Sequence, residues 1–147
     1  MNPTLLNDVK VTVVEAAAVA ATTALDSDIL DMSGYEGVLF LAMLGDVSDT
    51  SVLTLAAQQN TANSTSGMAT LSGTATFTAG ATDADSKVLA LDVYRPRERY
   101  VRAYLTRTAA NAVVGGVIAI QYGAGKRPVT PHASVIAYAT TVEPAES

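Results

Sequence analysis

Five arginines, Arg95, Arg97, Arg99, Arg102 and Arg107, fall within thirteen residues and form the densest group of side chains in the sequence that could bind something. Tyr100 and Tyr104 are interleaved with them, and arginine with tyrosine can pair with phosphate while stacking on bases. Two facts argue against a nucleic-acid partner. The chain carries a net charge of −5, and Glu98 lies inside the group, whereas dedicated binders concentrate positive charge. The arginines therefore read as a network that pairs with carboxylates of the same or a neighbouring subunit. Arg95, Arg97, Arg99, Tyr100, Arg102 and Tyr104 become candidate interface residues, joined by Val135 and Tyr138 near the C-terminus.

The other chemical signals are incomplete. Asp26 and Asp28 match the first two ligands of a calcium loop, but Leu30 holds the fifth position and Gly37 the twelfth, with Glu36 one residue short. Gly123-Ala-Gly125-Lys126-Arg127 ends like a phosphate loop, yet Ile120 stands where the first glycine belongs and Arg127 replaces the magnesium-binding hydroxyl residue. His132 and Ser134 could pair as base and nucleophile, but no placed acid or nucleophile-elbow sequence accompanies them. Asn63-Ser-Thr65 has the form of a glycosylation acceptor and reads as part of a polar loop. With no Cys and a single His, disulfide frameworks, thiolate metal sites and most imidazole chemistry are excluded. The expectation is a protein without catalytic residues, metal or cofactor, and so not an enzyme.

The elements that must position these residues come from a chain of 147 residues, the size of one ordinary domain. Apolar residues make up 49% of it, but 26 of them are Ala, while Leu, Ile, Val and Phe together number 36, so the core is assembled from small pieces. Charge is segregated: between Lys10 and Lys87 there are nine acidic residues and no basic one, whereas Lys87 to Arg127 holds eight basic residues against Asp92 and Glu98. The first ten residues lack a basic and then apolar signal pattern, which predicts an intracellular product. The longest apolar stretch, from Ala16 to Leu25, is about ten residues, half of what a membrane span needs.

Short β-branched or aliphatic runs separated by turn residues dominate the chain and predict strands at 9–14, 35–44, 51–57, 87–94, 99–106 and 113–122. The unbroken run from Val38 predicts a central strand or one buried on both faces. The pair 87–94 and 99–106, split by Arg95-Pro96-Arg97-Glu98, predicts a hairpin. Gly115-Gly116 predicts a bulge or a close backbone approach. A further strand is expected around Ala69 to Thr78, framed by polar loops, and the Ala-rich segment 15–25 is open between helix and extended arm. Pro128, Pro131 and Pro144 predict an extended tail, ordered mainly against another chain through Val135, Ile136 and Tyr138. Together these signals specify an all-β fold, an antiparallel β-sandwich of jelly-roll-like type with extended N- and C-terminal arms. The expected divisions are an N-terminal arm and first strand at 1–27, a sandwich core at 28–125 and an extended tail at 126–147.

The succession Asp31-Met-Ser-Gly-Tyr-Glu-Gly-Val-Leu-Phe40, Leu89-Ala-Leu-Asp-Val-Tyr-Arg-Pro96, Arg99-Tyr-Val-Arg102, Ala109-Ala-Asn-Ala-Val113 and Gly116-Val-Ile-Ala-Ile-Gln-Tyr-Gly123 resembles small structural proteins of tailed-phage virions, and among them capsid decoration, or cement, proteins. The resemblance spans residues 28–128 and rests on strand and turn sequences. It implies a non-enzymatic protein, made in the host cytoplasm, that sits on the outer face of the capsid, commonly as a homotrimer. The major capsid protein and the chain itself are then the partners, with no nucleic acid and no membrane. Head-completion and tail-terminator proteins are small and β-rich as well and remain alternatives. A carbohydrate-binding β-sandwich is a more distant one, since the chain has no Trp and two Phe for a sugar platform.

Overall fold

The computed structural model describes residues 4–143, 145 and 146, leaving Pro144 outside the description. Apart from a three-residue 3-10 turn at Leu5–Asn7, the regular structure is β: β1 (Lys10–Glu15), β2 (Ala18–Ala21), β3 (Leu25–Asp26), β4 (Leu30–Asp31), β5 (Gly37–Val47), β6 (Val52–Asn60), β7 (Ala69–Thr70), β8 (Ala75–Thr78), β9 (Val88–Tyr94), β10 (Tyr100–Thr108) and β11 (Ala112–Tyr122). No helix among the described residues is long and apolar enough to cross a membrane.

All pairings are antiparallel. The first sheet runs β1, β11, β5, β9, with β2 continuing β1 along β11; the second runs β3, β10, β6, β7, with β4 and β8 extending its two edges. Counting β1/β2, β3/β4 and β7/β8 each as one split strand gives eight positions, ordered 1-8-3-6 and 2-7-4-5. That is the strand order of a double-sheet jelly roll, as the sequence predicts.

The facing sides follow the two-residue period of strands. Val38, Phe40, Ala42 and Leu44 of β5, with Val117 and Ala119 of β11, meet Leu53, Leu55 and Ala57 of β6 and Val101, Ala103 and Leu105 of β10 in one buried cluster. Alanines therefore occupy real core positions, which lets the sheets close with few large side chains. β5 is central, between β11 and β9, and its outer face, at Leu39 and Leu41, is only half-buried.

The glycine pair of β11 does both things expected of it. The ladder between β11 and β5 shifts register on either side of Val114, and Gly116 adopts φ 133° with the Glu15 carbonyl oxygen 3.1 Å from where its Cβ would stand. A side chain there would be strained and would push β1 away.

Three expectations are corrected. Strands β9 and β10 do not form a hairpin: β9 pairs with β5 in the first sheet and β10 with β6 in the second, so residues 95–99 carry the chain across the sandwich. Arg95 turns this corner with φ 51° and donates its N–H to the Glu36 carbonyl. The single strand expected at Ala69 to Thr78 is two, β7 and β8, both on the β6 edge and separated at Gly73, whose φ is 93°. The tail does not wait for another chain along its first half. Val129 N donates to Asn7 O, His132 N to Val11 O, and Val13 N to Ser134 Oγ, so residues 129–134 line the outer edge of β1.

The Ala-rich segment is extended and supplies β2. Segment 1–27 thus provides strands to an edge of each sheet, and the boundary at 126 falls just after β11.

Candidate interaction surface

The arginines are sorted by strand parity. Tyr100, Arg102 and Tyr104 alternate with the core residues Val101, Ala103 and Leu105, so they lie on the outer face of the second sheet. Arg102 is nevertheless only 8% exposed, because the strands beside it supply partners. Its Nε donates to Gln58 Oε1 at 2.8 Å, Gln58 Nε2 donates to Thr70 Oγ1, and Asp26 Oδ2 lies 3.8 Å from the guanidinium. A polar row thereby crosses β3, β10, β6 and β7.

Arg107 has the opposite parity and turns inward, 2% exposed. Among the described residues it meets no carboxylate. Its guanidinium instead donates to the carbonyls of Thr23, Val19 and Ala112 at 2.7–2.9 Å and to Thr23 Oγ1. Burial pulls its pKa below the usual arginine value. This side chain ties the Ala-rich segment to β11, and it explains why that segment is extended: the carbonyls of residues 19 and 23 are taken by arginine rather than by a helix.

Arg99 forms a two-pronged pair with Asp31, Nε to Oδ1 and Nη2 to Oδ2, both 2.8 Å. The arginine, with help from the Ser33 N–H, holds the Asp31 carboxyl down at about 2. Asp26 and Asp31 of the calcium-like stretch are therefore turned to arginines. Glu15, near Asp28 and Asp26, is pushed up by burial and then by those two charges. Among the described residues no three His, Asp or Glu side chains converge as a metal site.

Arg95 and Arg97 remain outward. Arg95 lies over the Tyr94 ring, 5.1 Å from its centroid, and 3.9 Å from Glu36. Arg97 uses its backbone N–H on Gln59 Oε1, and its guanidinium has no partner among the described residues. Tyr94 stacks parallel to Tyr122, centroids 6.5 Å apart, and Tyr122 donates its hydroxyl to Asp92 Oδ1 at 2.6 Å. Burial first, then that hydrogen bond to Asp92, raises the Tyr122 pKa well above the usual phenol value.

These groups border the open flank of the sandwich, where β9 faces the β6/β7/β8 edge. Two clefts lie along it. One of about 540 Å³ includes Gln59, Leu71, Leu91, Val93, Tyr94 and Arg97 in its lining, and one of about 360 Å³ includes Phe77, Ala84, Val88 and Leu89. Sequence reasoning found Arg95 and Arg97 of this flank but neither its tyrosines, Tyr94 and Tyr122, nor Leu71, Leu91, Val93 and Phe77, apolar residues that carry no chemical signal in the sequence. Of the two tail residues singled out, Val135 is half-buried and Tyr138 is 57% exposed. His132 Nδ1 lies 3.0 Å from Ser134 Oγ, a contact within the tail's own turn.

No family model matches the sequence, and no curated protein matches it. Among solved structures, the crystal structure of PBSX exported protein XepA shares the fold, with a TM-score of 0.54 and 18% identity. The match covers 97% of this chain and 46% of that one, so the chain spans less than half the length of its structural relative.

Proposed function

We propose that this chain is a non-enzymatic structural protein of a tailed-phage virion, which binds the outer face of the capsid and stabilises contacts between major capsid subunits, with copies of the chain associating as a homotrimer. The observation that carries the reading is the jelly roll shared over 97% of the chain with the phage-related PBSX exported protein XepA, in agreement with the phage resemblance of the strand and turn sequences. The site geometry adds support. Arg99, Arg102, Arg107 and Tyr122 are committed to partners that hold strands together, leaving an apolar flank and an outward arginine pair suited to protein contact.

The test uses particles of the phage that encodes the chain, separated into heads and tails, with the protein followed by mass spectrometry and by labelling in electron micrographs. Recovery on the outside of heads, and release of DNA at lower temperature from heads that lack it, is the expected result. Recovery at the neck or only with tails would replace the capsid role by a head-completion or tail-terminator role.

A further inference from the structure

A jelly roll has four outer strands, and an uncovered one is a template for another chain. Three are blunted in this molecule. β1 is lined by residues 129–134 of its own tail, and β2, which continues it, is four residues long with its Val19 carbonyl taken by Arg107. The β3/β4 edge is two strands of two residues, and the β7/β8 edge is two strands of two and four residues, interrupted at Gly73. β9 is seven residues long, contains no Pro, Lys or bulge, and among the described residues pairs on one side only. Leu44 N donates to Lys87 O and Arg95 N donates to Glu36 O, so the alternation of an antiparallel ladder turns Leu89, Leu91 and Val93 toward β5. The backbone groups of Val88, Ala90, Asp92 and Tyr94 then face the open edge.

The same molecule carries a strand without a sheet. Beyond Ser134 the tail reads Val135-Ile-Ala-Tyr-Ala-Thr-Thr-Val142, of strand-forming composition. Its residues leave the body after Val135 N bonds to His132 O; Ile136 is 99%, Tyr138 57% and Val142 69% exposed. Ile136, Tyr138 and Val142 share one face of an extended chain.

We infer that residues 135–142 of one copy add as a strand to the β9 edge of a second copy, closing the open flank of its sandwich. The donor's apolar face covers the two clefts with Leu71, Leu91, Val93 and Phe77 beneath it. Charge sets the direction: Glu143 and Glu146 follow the donor strand, and a parallel alignment brings them to Arg95 and to Arg97, whose guanidinium has no partner among the described residues. Reach selects a second copy over the chain's own tail. The tail leaves from β1, three strand spacings or about 14 Å from β9, and crossing that span uses about four of the eight residues. The contact joins two different surfaces, so it propagates until a rotation closes it into a ring. The inference deepens the self-association within the proposed function, and it stands without any capsid.

The test compares the full chain with Ala90→Pro and with a chain ending at Ser134, by sedimentation at tens of micromolar. Ala90 turns its N–H to the open edge, so proline removes the donor-strand bond while sparing the β5 ladder. Oligomeric wild type with both variants monomeric and equally folded by circular dichroism is expected. A monomeric wild type, or an oligomer that survives either change, overturns the inference. Should Ala90→Pro unfold, mixed copies of Ala90→Cys and Ala137→Cys decide: the chain has no other Cys, and oxidation must yield a disulfide-linked dimer between the two variants. No dimer, or a bridge only within one chain carrying both changes, also overturns it. Binding to phage heads is read separately by co-sedimentation, so failure of strand exchange and failure of the capsid role are distinguishable.

Discussion

The ring of Tyr122 lies across the backbone of Gly37. The two are register partners on β11 and β5, and the phenol crosses the intervening strand to reach Asp92 on β9, where it also stacks on Tyr94, the partner of Gly37 on the other side. A Cβ at position 37 would clash with the hydroxyl end of the Tyr122 ring, at Cζ and the hydroxyl oxygen.

Gly37→Ala should therefore displace the ring, break the bond to Asp92 and destabilise the fold by about 1–3 kcal/mol, the range for overpacking a filled site. Urea unfolding checks the stability, and spectrophotometric titration should show Tyr122 ionising at lower pH. Because burial and the Asp92 bond hold the folded-state pKa of Tyr122 above its unfolded value, its contribution is fully present below the unfolded value and is lost as pH rises from there through the folded one. Tyr122→Phe should remove that part of the alkaline sensitivity while keeping the stack.

Arg107→Ala should cost more. It strands the buried carbonyl of Ala112, where an unpaired polar group costs about 1–3 kcal/mol, releases those of Val19 and Thr23 to water, and empties the space of one of the largest fully buried side chains, a large-to-small change worth about 2–5 kcal/mol. A loss of about 3 kcal/mol or more in urea unfolding is expected, with faster hydrogen exchange across residues 18–23. Arg107→Lys keeps the charge but not the planar fork and should recover only part of the loss.

The sequence carried the strands, the bulge and the fold class, because these depend on local period and on glycine geometry: Val38 to Leu44 could hardly be anything but a central strand. It did not carry the partner of each strand. Pro96 and its neighbours announce a turn, but a turn into the same sheet and a crossing to the opposite sheet use the same residues. The Ala-rich segment was undecidable locally, since its conformation is set by Arg107, more than 80 positions away. Likewise strand parity separates Arg102 from Arg97 and Arg99 in the sequence, but only the pairing of strands shows that Arg102 and Arg107 are buried while Arg95 and Arg97 stay outside.

The Asp31–Arg99 pair has a pH signature. Asp31 titrates at about 2, below the ordinary 3.8, so its contribution is present above the unfolded value and disappears as pH falls from about 4 toward 2. Both groups are exposed, which keeps the effect on stability small. Arg99→Ala should return the Asp31 midpoint toward 3.8 in a carboxyl NMR titration. A midpoint unchanged by the substitution would mean that the Ser33 N–H, rather than the guanidinium, holds the carboxylate.

Ser27 bridges the break between β3 and β4. Its N–H donates to Ala103 O and its hydroxyl oxygen accepts from Ala103 N at 2.8 Å, so one residue supplies both ladder bonds where the strands are interrupted. Ser27→Ala leaves a buried N–H unpaired and should destabilise by about 1–3 kcal/mol. Ser27→Thr keeps the oxygen, and recovery of stability in that variant would separate the hydrogen bond from a general intolerance at the site.

The tail has two halves with different work, and where it is cut should decide what is lost. Residues 129–134 satisfy Asn7 O, Val11 O and Val13 N along β1, and Arg127 Nε lies 3.4 Å from Asp8 Oδ1. Removing everything after Gly125 uncovers the β1 edge and forfeits these contacts. At about 0.5–1.5 kcal/mol for each net hydrogen bond, three of them amount to a loss of several degrees in Tm for a domain of this size. Stopping at Ser134 keeps all three, so in scanning calorimetry that chain should melt above the one cut after Gly125, and level with the intact protein only at dilutions where the intact protein is monomeric. Equal melting of both truncated chains would show that the β1 edge is as well satisfied by water as by the tail, and that the tail's first half adds nothing to the stability of the sandwich.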